Sequence, residues 1–133
     1  MNWKLAGSVV LAIVVAFGVG WIVGASGRST IEQARAQSEM RAEFAEVRSR
    51  ILGARVSLFL VNFGDAGRQL EDARGRAEKL QSRLRELGQA ERAGKLEIAI
   101  AHLRDAQRLT SSVDQSAQAS ADEALKALAA VNE

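Results

Sequence analysis

The side chains that could perform catalysis are few, and their spacing suits other roles. His102 is the only histidine and cysteine is absent, so neither a nucleophile paired with a base nor a zinc site is readily assembled. The pairs Glu71–Asp72 and Asp122–Glu123 join adjacent residues, which point to different sides of a helix and have cations nearby. We therefore predict salt bridges there, and no catalytic, cofactor-binding or metal-ligating residue in the chain.

Recognition of phosphate or nucleic acid is also poorly supported by the sequence. Gly64, Gly67 and Gly75 follow no predicted strand and belong to no phosphate-binding loop motif. The 18 Lys and Arg residues and 16 Asp and Glu residues leave a net charge of only +2, and few aromatic residues accompany them. These features predict neither a nucleic-acid partner nor a small-molecule substrate, and an enzyme would need a site completed by another chain.

An uncharged, apolar run, Leu5–Gly27, dominates the N-terminal part of the sequence. As a helix it would be about 34 Å long, enough to cross a hydrocarbon core about 30 Å thick. Lys4 and Arg28 bracket the run, as charged residues commonly flank a membrane span. The sequence therefore predicts a transmembrane signal anchor over residues 1–28, with the lipid bilayer as a partner, and an extramembrane helical domain over 29–133.

A cleavable secretory signal is the alternative interpretation of the same run. Small residues at Val23–Ala25 and Ala25–Gly27 resemble cleavage sites, and cleavage would release a secreted or periplasmic helical binding protein. The run is, however, longer than the apolar part of a signal peptide, which spans about 7–15 residues. For an anchor, three arginines soon after the run outnumber the lysine before it, which favours a cytoplasmic domain at a bacterial-type inner membrane over a periplasmic one.

Small residues recur at every fourth position within the apolar run. A ladder of this kind removes bulk from one face of a helix and allows another helix to approach closely. The sequence therefore predicts helix packing in the membrane, with a second copy or another protein, through Ser8, Ala12, Ala16, Gly20 and Gly24.

Beyond the run, apolar residues spaced alternately three and four apart indicate helices that pack against one another. Their apolar seams run from Met40 to Val61, from Phe63 to Leu87 and from Leu96 to Val131. We predict helices over about 31–61, 65–87 and 95–131, with Gly88 ending the second, while the polar segment 110–116 could bend or break the last. The predicted fold is all-α: one N-terminal transmembrane helix followed by a coiled-coil-like long-helix hairpin or three-helix antiparallel bundle.

The apolar seam shifts by two residues near Asn62, which turns the apolar face by roughly 160°. One interpretation is a turn at 62–65, because Asn62 and Gly64 tolerate a left-handed backbone and Asp65 can cap a new helix. The other is a single continuous helix that is apolar on two sides. We favour the turn.

The segment Asn62–Ala66, followed by Leu70 and Ala73, resembles the turn and second helix of a tetratricopeptide repeat. The same offsets recur at Ala99, Leu103 and Ala106. The resemblance implies a helical hairpin used for protein contacts. The apolar surface is widest beside this turn, so we predict a partner surface formed by Ile51, Val56, Leu58, Phe59 and Phe63.

These features together predict a single-pass, membrane-anchored scaffold or accessory subunit. It would act by contact with a protein partner or with other copies of itself, and without catalysis.

Overall fold

The structure, a computed structural model of the chain, describes residues 30–132; of the residues before Thr30 it records only that the first helix begins at Trp3. From Trp3 to Asn132, four α-helices follow one another: α1 (Trp3–Phe59), α2 (Phe63–Glu86), α3 (Ala90–Ser111) and α4 (Ala117–Ala130). The chain divides into two compact units, Met1–Glu39 and Met40–Glu133. The prediction of an all-α protein is confirmed, and the described residues contain no strand.

The second unit is a four-helix bundle whose helices run alternately up and down. Its helix α2 packs against α3, and α3 packs against α4. Ion pairs link α1 to its two neighbours. The guanidinium of Arg83 on α2 lies 2.6 Å from the Glu43 carboxylate, and Arg55 on α1 meets Asp122 on α4.

Two of the connecting turns lie at the same end of this bundle, because short connections make each helix antiparallel to the next. A small buried cluster confirms the arrangement, since Leu58 of α1, Ala66 of α2 and Ala117 of α4 pack together there. The α1–α2 turn and the α3–α4 turn both adjoin this cluster. The α2–α3 turn lies at the other end.

The prediction of three helices after the N-terminal run is wrong in one place. The helix expected over 95–131 is two helices, α3 and α4. In the turn between them, the Asp114 carboxylate accepts hydrogen bonds from the backbone N–H of Ser116 at 2.8 Å and from its hydroxyl at 2.7 Å. Serine and aspartate side chains that bond to nearby backbone compete with helix formation, so the chain reverses where it is poorest in helix formers.

The core follows the predicted seams. Within the helices, every seam residue is buried except Phe63, which is half-buried. Three other seam residues, Val61, Leu87 and Val113, are exposed. Each lies beyond the last residue of a helix, where the chain has left the helical path and the side chain no longer faces the core. The bulkiest fully buried side chains are Val47, Ile51, Leu70, Leu80, Leu84, Leu96, Leu103 and Val131.

Helices α1, α2 and α3 end in the same hydrogen-bonded turn, the Schellman motif. The closing bonds run from the amides of Asn62, Gln89 and Asp114 to the carbonyls of Ser57, Leu84 and Leu109, at 2.8, 2.8 and 2.9 Å. The residue before each of these amides has a left-handed backbone: Val61 (φ 58°), Gly88 (φ 73°) and Val113 (φ 56°). Glycine is the usual residue at this position, so α2 ends as predicted, whereas α1 and α3 use valine instead.

The turn after α1 also differs in detail from the prediction. It lies at 60–62 rather than 62–65, and Val61 takes the left-handed conformation expected of Asn62 or Gly64. Asn62, not Asp65, caps α2, because its side-chain oxygen accepts the backbone N–H of Asp65 at 3.1 Å. Asparagine is among the strongest N-cap residues, so this assignment follows ordinary capping chemistry.

Across the residues described here, no helical stretch combines the length and apolarity needed to cross a membrane. The run Leu5–Gly27 lies outside those residues, and so does its ladder of small residues from Ser8 to Gly24. The anchor over 1–28 and the ladder therefore remain predictions from the sequence.

Candidate contact surface

An apolar surface, which we call the corner surface, lies on the solvent side of α1 and on the turn that follows it. It consists of five exposed residues: Leu52, Val56, Phe59, Leu60 and Val61. At about 100° per residue, the side chains from Leu52 to Leu60 fall within about 100° of arc. The buried seam of α1 is centred roughly 150° away around the helix, so the described part of the bundle leaves this surface uncovered.

The corner surface exposes most of the side-chain area of its residues. Phe59 is 78% exposed, and Leu60 and Val61 are 67% and 64% exposed. Complete burial removes about 150–250 Å² of accessible surface from an aromatic side chain and about 60–120 Å² from an aliphatic one. Multiplied by the exposed fractions of the five residues, these areas give an exposed apolar surface of roughly 400 Å². The largest patch on a typical monomer is of this size and is often a contact site.

Val61 and Val113 adopt a backbone conformation that valine disfavours. A left-handed conformation costs a residue with a Cβ about 1–2 kcal/mol, and β-branched residues adopt it least readily. Both valines are 64% exposed, so little burial of their methyl groups offsets this cost. Both also lie at the end of the bundle that carries the corner surface. The turns require a left-handed residue, which glycine would supply freely, so the two valines carry backbone strain that glycine would not.

A polar network fixes α1 against α2 beneath the corner surface. The buried Ser57 hydroxyl donates to the Asp65 carboxylate at 2.8 Å, and the Gln69 amide donates to that carboxylate at 2.7 Å and to the Ser57 oxygen at 3.1 Å. The hydrogen bond from Ser57, followed by that from Gln69, lowers the pKa of Asp65 below its ordinary value of 3.8. Gly53 makes room for the network, because a Cβ at this position would collide with the Gln69 side-chain oxygen.

The structure separates the residues of the predicted partner surface. Val56 and Phe59 are exposed on the corner surface, whereas Ile51 and Leu58 are buried in the bundle. Phe63 is half-buried and packs beside Leu58.

Sequence reasoning missed three residues of the corner surface, namely Leu52, Leu60 and Val61. The spacing of Leu52, four before Val56 and seven before Phe59, places these side chains on one helical face and could have identified Leu52. The apolar spacing places Val61 in the buried seam instead.

The residues that could do chemistry lie apart or are engaged in ion pairs. Asp72 forms an ion pair with Arg76 at 3.0 Å, and Glu123 forms one with Lys126 at 2.7 Å, as predicted. The Lys126 ammonium lowers the pKa of Glu123, with a smaller contribution from the charge of His102. Within residues 30–132, no three potential ligand side chains come together as a metal site would require.

A groove of about 460 Å³ runs between α1 and α2. It is lined by Glu43, Glu71, Asp72, Gly75, Arg76, Lys79 and Arg83. Its charges are of both signs, and Arg76 and Arg83 reach carboxylates in the groove itself. The groove is therefore a network of partly exposed ion pairs, each of which contributes little to stability.

No family model, curated protein or solved structure matches this chain. The resemblance of residues 62–66 to a tetratricopeptide repeat therefore supports only a helical hairpin, and α1 and α2 form such a hairpin.

Proposed function

We propose that the chain is a membrane-anchored helical scaffold or accessory subunit that acts by protein contact and without catalysis. The observation that carries this proposal is the corner surface, an uncovered apolar area of roughly 400 Å² centred on Phe59. Two strained, exposed valines at the same end of the bundle support it. The membrane anchor is proposed from the sequence of Leu5–Gly27, whose length and lack of charge suit a membrane span.

The contact is tested by placing a charge at the centre of the corner surface. Phe59→Glu should abolish co-purification of the protein's partner from detergent-solubilised native membranes, because burying an unpaired carboxylate in an apolar interface is strongly unfavourable. Ile98→Glu is the matched control, since Ile98 is also apolar and 56% exposed but lies on α3, away from the corner surface. Equal loss in both variants, or no loss in Phe59→Glu, would overturn the proposed contact.

The anchor is tested by fractionation of the tagged, full-length chain. An anchored chain sediments with membranes, resists washing with high salt, is released by detergent, and keeps Met1 or Asn2 as its N-terminus. A chain that is soluble without detergent and begins near Ser26 or Arg28 would instead be a secreted or periplasmic binding protein, because a signal peptide would have been removed.

A further inference from the structure

We propose that the corner surface continues into a longer seam along α1 and that this seam pairs two copies of the chain. The inference rests on the proposed function and names its partner: a second copy, in a parallel dimer with twofold symmetry. The seam follows spacings of three and four residues, which are the a and d positions of a coiled coil. All six of its residues are exposed: Ala42, Ala45, Ser49, Leu52, Val56 and Phe59.

The seam supplies more than half of the apolar area that a stable dimer needs. A standard interface buries about 800 Å² on each partner, and about 65% of a homodimer interface is apolar, which gives roughly 500 Å². Leu52, Val56 and Phe59, together with the flanking Leu60, provide roughly 300 Å² of this, and the exposed methyl groups of Ala42 and Ala45 add to it. The small residues in the first half of the seam also allow two α1 helices to approach closely, while Phe59 offers a large aromatic contact at the other end.

The charges that flank the seam favour the parallel orientation. The g positions are Arg41, Arg48 and Arg55, and the e positions are Glu46, Gly53 and Leu60. In a parallel pair each g residue faces the next e residue of the other copy, so Arg41 meets Glu46 of the second copy and no like charges meet. In an antiparallel pair the g positions face each other, which would oppose arginine to arginine. A parallel pair also places Met40 of both copies at the same end of the dimer, which suits the proposed anchoring of both chains in one membrane.

Cysteine cross-linking tests this geometry without interference, because the chain contains no cysteine. In a parallel, in-register dimer each seam residue faces its own counterpart across the symmetry axis, within reach of a disulfide. Ser49→Cys and Val56→Cys should therefore both form covalent dimers when full-length protein in native membranes is oxidised. Ala101→Cys, at an exposed alanine on α3, is the matched control. We expect roughly a tenfold higher dimer fraction at both seam positions than at the control.

The possible results separate this inference from the proposed function. Cross-linking at one seam position alone would overturn the parallel register, because an antiparallel pair brings at most one such position onto the axis. Cross-linking no better than the Ala101→Cys control would overturn the dimer. If Phe59→Glu still removed a membrane partner in that case, the scaffold would stand with a different protein as its partner. Recovery of the chain in the soluble fraction would overturn the anchored function itself.

Discussion

Replacing Val61 by glycine tests whether the left-handed turn after α1 is strained. Valine at φ 58° has a disfavoured backbone, whereas glycine adopts this conformation freely. Removing the strain stabilises the folded state by about 1–2 kcal/mol, whereas the greater freedom of glycine in the unfolded chain costs about 0.5–1 kcal/mol. Because the Val61 side chain is 64% exposed, the substitution loses little buried apolar area. Val61→Gly should thus raise the free energy of unfolding by about 1 kcal/mol, and Val113→Gly should do the same.

Thermal unfolding of the full-length protein in a mild detergent, followed by circular dichroism, measures the effect. For a domain of this size, about 1 kcal/mol corresponds to a rise in Tm of about 4–8 °C. The bundle contains its own control, because Gly88 occupies the same position in the turn after α2 and no atom lies within 4 Å of where its Cβ would be. Gly88→Val should therefore lower the Tm by a similar amount, through backbone conformation alone.

A fall in Tm for Val61→Gly, with Gly88→Val also destabilising, would refute the strain. It would mean that the Val61 methyl groups contribute packing that outweighs the backbone cost. A rise in Tm together with weaker partner binding would instead show that valine is kept for contact at the expense of stability.

Two further predictions concern the polar network beneath the corner surface. Gly75→Ala should stabilise the protein by about 0.5–1 kcal/mol through helix propensity, since its Cβ would meet nothing within 4 Å. Gly53→Ala should raise the free energy of unfolding little or not at all, because the new methyl group displaces Gln69 from hydrogen bonds worth about 1 kcal/mol each. If urea titrations gave the same gain in stability for both alanine variants, these hydrogen bonds would contribute nothing. Because the pKa of Asp65 is lowered in the folded state, the ionised carboxylate stabilises the fold at pH values above the ordinary pKa of 3.8. This stabilisation is lost as the pH falls through the folded-state pKa. Asp65→Asn should therefore show a smaller drop in Tm than the wild type between about pH 5 and pH 3, and coincident curves would contradict this.

The buried positions of the bundle could be predicted because spacing alone determines which side of a helix faces its neighbours. This held for Ile51, Leu70 and Leu103, all of which are fully buried. The predicted partner surface nevertheless includes Ile51 and Leu58, which the spacing also places in a seam. Counting angles around the helix separates the two sides and leaves Val56 and Phe59 facing solvent.

The turns were less predictable, because rules based on glycine and asparagine do not anticipate valine in a left-handed conformation. Val61 and Val113 extend the apolar spacing by one step, so they read as core residues in the sequence. The break between α3 and α4 was ambiguous because a polar segment is compatible with a weak helix or with a turn. The hydrogen bonds from Ser116 to Asp114, together with the packing of Ala117 against Leu58, stabilise the turn.

Between Met40 and Phe59, α1 carries a buried seam on one side and an exposed apolar row on the other. Inserting or deleting one residue in this interval would rotate everything beyond it by about 100°, which would misplace both rows at once. Single substitutions on the exposed row leave the buried one intact, so this stretch tolerates changes of residue type far better than changes of length. Length variation is better accommodated in the exposed turn at 112–116, where added residues only lengthen a loop.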